Sequence, residues 1–129
     1  MTRTHPCSPR TRTGRLAKAR QFLDAAATID EFADDESDVS DAFVTLCVHA
    51  GIAASDVLCC ARLGVHASGE NHEYAVALLR KVDATLARDL ATLLGMKTRS
   101  GYSAYATRVD DHRRAGRAAE RLVAAARAL

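Results

Sequence analysis

Proline, aromatic residues and strand-forming runs are what this chain of 129 residues has least of. Proline occurs twice, both times before residue 10, and aromatics make up 5% of the sequence. So few breakers and β-formers, with alanine and leucine dominant, argue against a β architecture and for an all-α one. No Cys-x-x-Cys pair occurs among the four cysteines, Cys7, Cys47, Cys59 and Cys60. Adjacent Cys59 and Cys60 make a poor disulfide pair, and Cys47 and Cys59 lie in an apolar stretch. The reading is therefore reduced, core-filling thiols in a cytoplasmic protein. The N-terminus also lacks the apolar stretch of a secretory signal.

Charge is absent by sign, in blocks. Residues 1–20 hold six bases and no acid; residues 21–41 hold eight acids and no base. From Lys97 onward eight bases face three acids. Blocks of this kind suit docking between segments or subunits as well as contact with a phosphate backbone. The acid-free start has the composition of a transit peptide, but GC-rich bacterial coding yields the same bias. Residues 1–13 are read as a disordered basic tail, and residues 14–129 as one helical bundle domain.

What the chain does have is one long apolar stretch, Ala42–Leu63. Apolar residues fall on every side of it, so its helix is expected to be buried all round. It has the ~20 residues of a membrane span, but His49 and Asp56 lie inside it, and no membrane partner is expected. Thr45, His49, Ile52 and Asp56 share one face of that helix and form a narrow, mostly polar seam. A carboxylate there is costly unless paired. Helical periodicity places the other helices at about 14–33, 70–82, 83–95 and 109–128, with Ser37 or Ser40 capping the central one. Gly64 suits the left-handed position that ends the central helix. Ser68 is the expected cap of the third helix, and Lys97–Tyr105 is read as a loop. Five helices on short connections make an up-and-down bundle.

No helix-face metal spacing occurs around His66, Glu70, His72 and Glu73, so neither metal nor cofactor is expected. Asp56 needs a partner, and Lys97, Tyr102 and His72 are the candidates. With Arg62 they form the expected buried polar or binding cluster. Tyr102 and Tyr105 are read as lids on the core. Arg113, Arg117 and Arg121 line the outside of the last helix, where contact with RNA or a nucleotide is an option. Arg108 and His112, four residues apart, share a helix face where an arginine and a histidine can serve phosphoryl chemistry.

The order of these motifs resembles the HEPN superfamily. The segments that carry the resemblance are DVLCCARLG, GENHEYAVALL, LARDLATLL, the Lys97–Tyr102 spacing, and Ala118-Ala-Glu-Arg-Leu-Val123 in the last helix. The resemblance implies an all-α bundle that dimerises. It also implies either an endoribonuclease of toxin–antitoxin type, a partner of a minimal nucleotidyltransferase or antitoxin, or a bundle that has lost its active site. The nuclease branch has four to six residues between its arginine and histidine. Here Arg108 and His112 are separated by three, as are Arg62 and His66. The expected function is thus a non-catalytic binding or regulatory module acting as a homodimer. The alternative is a metal-independent endoribonuclease using a degenerate Arg108/His112 pair.

Overall fold

The computed structural model describes residues 3–69 and 71–129. Among the described residues there are five α-helices: α1 (Pro9–Phe32), α2 (Ser40–Leu63), α3 (His72–Arg80), α4 (Ala84–Gly101) and α5 (Val109–Arg127). The all-α expectation holds. One departure is a small antiparallel ribbon, where β1 (Thr4–Pro6) pairs with β2 (Val65–Ala67), His5 opposite His66. No strand was expected.

Local chemistry explains most boundaries. Ser8 caps α1 and Thr11 reciprocates, while Pro9 occupies the first turn, where a missing N–H costs nothing. The helix therefore starts at Pro9, and residues 3–13 hold a strand, a cap and a helical turn instead of a disordered tail. Val39, not a serine, occupies the N-cap of α2. Gly64 ends α2 with φ +76°, as expected of a left-handed C-terminal position. Asn71, not Ser68, caps α3, and Asp83 caps α4. Gly95 does not stop α4, which runs on to Gly101 and carries Lys97 with it.

Long-range contacts fix the helix directions. Arg15 early in α1 meets Asp56 late in α2, and Asp89 early in α4 meets Arg121 late in α5. Ser40 at the start of α2 meets His112 at the start of α5. Neighbours are thus antiparallel, α2 and α5 run parallel, and α1 and α4 each flank both. Small residues are frequent among the buried positions of both: Ala50, Gly51, Ala53 and Ala54 on α2, and Ala115, Ala118 and Ala119 on α5. A Cβ on Gly51 would collide with Leu93 Cδ1 and come within 3.3 Å of Leu122 Cδ1. Gly51→Val is therefore expected to cost about 2 kcal/mol by overpacking, read as a lower urea midpoint with an unchanged slope.

The centre of the bundle is α2, whose Val44, Cys47, Val48 and Ala54 are wholly buried. By length and composition it is apolar enough to cross a membrane, and in this fold α1, α4 and α5 cover most of it. The thiols correct the sequence reading. Cys7 and Cys60 form a disulfide that staples the N-terminal strand to the end of α2. Cys47 and Cys59 are free and buried, and burial pushes their thiols up to about 12 and about 11. They are fillers, not nucleophiles.

Candidate functional site

The expected cluster around Asp56 is divided between separate places. Asp56 lies late on α2, and its partner comes from α1: Arg15 Nε donates to Asp56 Oδ2 at 2.8 Å. His66 of β2 stands 3.9 Å from the other carboxylate oxygen, while its Nδ1 lies 2.9 Å from the Ala67 carbonyl. Burial raises the Asp56 carboxyl above its usual range, and the charges of Arg15 and His66 offset that only in part. Lys97, Tyr102 and His72 are not its partners. His72 shares only a cavity of about 20 Å³ with Asp56, room for about one water.

His72 and Lys97 do meet, with Nε2 and Nζ 3.4 Å apart. Burial, and then the adjacent ammonium, hold the His72 ring below its usual range, so it is neutral at pH 7. A second cavity of about 140 Å³ lies along the α2 seam, lined by Thr45, His49, Lys97, Ser100 and Tyr102. Thr45 bonds Ser100 there at 3.2 Å. Of the five residues in the predicted grouping, His72 and Tyr102 each lie near Lys97, apart from the carboxylate that prompted it. Arg62 is exposed in the last turn of α2 and joins neither group. Tyr102 and Tyr105 are not lids on the core, being 77% and 72% exposed, and Arg99 lies over the Tyr105 ring.

Arg108 and His112 part company. Arg108 is the exposed N-cap residue of α5. The His112 side chain turns inward and is 3% exposed. Its Nδ1 is 2.9 Å from Ser40 Oγ, its Nε2 is 2.9 Å from Asp30 Oδ1, and the Phe43 ring stacks flat on it at 4.1 Å. Every side-chain atom that would carry acid–base chemistry is already engaged. Two further residues escaped sequence reasoning. Asp89 is buried and takes both Arg121 donors, at 2.9 and 2.7 Å, so Arg121 is a clamp between α4 and α5. Asp41 accepts from the Thr107 backbone and hydroxyl, at 2.8 and 2.7 Å, pinning the α4–α5 connection. Glu70, part of the His66–Glu73 grouping, lies outside the described residues.

No protein-family profile, curated protein or solved structure matches this chain.

Proposed function

We propose that this protein is a non-catalytic, HEPN-like helical bundle that serves as a binding or regulatory module and acts as a homodimer. The engagement of both His112 ring nitrogens, by Ser40 and Asp30, with Phe43 stacked on the ring, carries this reading, because it leaves neither nitrogen free to exchange a proton with a substrate. Arg108, its supposed helper, points its chemistry at solvent without it.

Self-association is supported by the end of the bundle where α1 finishes and α2 and α5 begin. Phe32 is 79% exposed there, and Tyr102 and Tyr105 in the adjoining connection and Val109 at the start of α5 are exposed as well. Acids of 31–38 and bases Arg108, Arg113 and Arg114 lie at that same end. A patch holding apolar groups and both signs of charge is self-complementary, as a two-fold interface requires. Light scattering is expected to give a dimer mass at micromolar concentration, and Phe32→Asp with Tyr105→Asp a monomer mass. A monomer mass for the unaltered protein removes the dimer from this proposal. The same preparation is expected to leave RNA uncut. RNA cleavage that disappears in His112→Ala would establish the endoribonuclease alternative instead.

A further inference from the structure

The strongest unassigned arrangement is the one that encloses His112. Ser40 has a single hydroxyl proton, with the Glu36 carbonyl at 3.0 Å and His112 Nδ1 at 2.9 Å both in its reach. Given to Nδ1, it leaves the ring hydrogen on Nε2, which donates to Asp30 Oδ1 at 2.9 Å. Given to the Glu36 carbonyl, it makes Ser40 Oγ accept from Nδ1–H, and the bare Nε2 then faces Asp30 with a place for a cation between them. Three features favour a metal ion there.

First, one ligand atom each from Asp30, Glu36 and His112 lies within 4.8 Å of the others, so a second carboxylate stands near the same point. Second, cis ligands about 2.1 Å from one ion sit about 3.0 Å apart, which matches the Nε2–Oδ1 separation. Third, the ring is held as metal-binding imidazoles are held. Its far nitrogen has an outer partner, Ser40 Oγ, at 2.9 Å, and the Phe43 ring is stacked on its plane. The nearby cation does not fill this role: Arg113 Nε stays 4.0 Å from Glu36 and is exposed. Arg117 and Glu120 complete the charged lining of the adjoining cavity of about 250 Å³, which opens to solvent.

We infer that Asp30, Glu36 and His112 bind one divalent transition-metal ion, which ties the end of α1 and the turn after it to the start of α5. This goes beyond the proposed binding module and rests on the same His112 environment; metal titration tests it separately from the light-scattering and RNA assays. One imidazole with two carboxylates suits Zn²⁺, Mn²⁺ or Fe²⁺ better than Ca²⁺ or Mg²⁺, and leaves coordination positions for water on the solvent side.

The test titrates the chelator-treated full chain with Zn²⁺ by calorimetry and with Co²⁺ by visible absorption. Uptake of one ion, visible Co²⁺ bands and a Zn²⁺-dependent rise in thermal midpoint are expected. His112 is structural as well, so the variants are Asp30→Asn and Glu36→Gln, with Asp35→Asn as a control outside the site. Each of the first two is expected to bind at least about tenfold more weakly with unchanged helicity, and the control like the unaltered protein. No uptake of either ion overturns the inference, as does uptake undiminished in both variants. Uptake that vanishes in His66→Ala would place the ion on the His5–His66 pair instead. A proton still found on His112 Nε2 by NMR at saturating Zn²⁺ would show a hydrogen bond from the ring to Asp30 in place of the ion and overturns the inference.

Discussion

Replacing Cys7 and Cys60 together with serine is expected to lower the unfolding free energy by about 4 kcal/mol. The bond closes a loop with a sequence separation of 53 residues. Cutting that loop frees the denatured chain far more than the native one, and a loop of this length corresponds to about that stabilisation on the chain-entropy account. β1 holds to β2 through three residues on each side, so without the staple its pairing is the first structure to fray. Urea unfolding with and without reductant measures the difference. A thiol assay checks the premise: denatured protein should expose two thiols, and native protein none, since Cys47 and Cys59 are buried. Four thiols in the denatured, unreduced chain, or coincident urea midpoints, would show that the bond does not support the fold.

Arg15→Met is expected to cost about 2–3 kcal/mol at pH 7, less than the ~3–5 kcal/mol of a fully enclosed pair because water reaches both partners. It strands the Asp56 carboxylate beside Ile52, Leu90 and Leu94. Asp56→Asn should be near neutral, because the raised carboxyl means that dehydration outweighs what Arg15 returns. The sign of the pH dependence follows. A carboxyl whose folded value lies above its unfolded one favours the native state fully below the unfolded value. That advantage is lost as pH rises through the folded value. Without Arg15 the folded value climbs further, so the cost of Arg15→Met should shrink as pH falls from 7 toward 4 and vanish below it. Asp56→Asn with Arg15→Met should show no such slope. A cost for Arg15→Met that is the same at pH 7 and pH 4 would mean that Asp56 is solvated and the pair is decorative.

Periodicity made the helices legible, and it made α2 the evident centre because an all-round apolar stretch has nowhere else to go. The start of α1 was also written in the sequence, as a serine before a proline with a threonine at the reciprocal position. That signal was outweighed by reading two prolines and scattered polar residues as disorder. Partners were the harder part. Asp56 demanded a base, but Arg15 lies 41 residues away and nothing local marks it among six bases in the first 20 residues. The cysteines show the same limit. Adjacent residues on a helix point about 100° apart, so Cys60 reaches Cys7 while Cys59 faces the core. Which of the two faces outward depends on how α2 is rotated in the bundle. The inward turn of His112 likewise depends on Ser40 and Phe43 of another helix.

The parallel diagonal of α2 and α5 carries an electrostatic cost of its own. Helix dipoles set side by side in the same direction repel, and two partial positive ends meet at one end of the bundle, offset in part by the negative C-terminal ends of α1 and α4 there. That is where the chain places its negative charge: Asp41 in the first turn of α2, Asp110 and Asp111 in that of α5, and Asp30 and Glu36 beside them. Arg62 and Arg127 stand in the last turns at the opposite end. The block of eight acids between residues 21 and 41 thereby acquires a role inside the molecule. Part of it, Asp30, Glu36 and Asp41, is counter-charge for two co-directional dipoles, drawn to one pole of the bundle before any outside partner is considered.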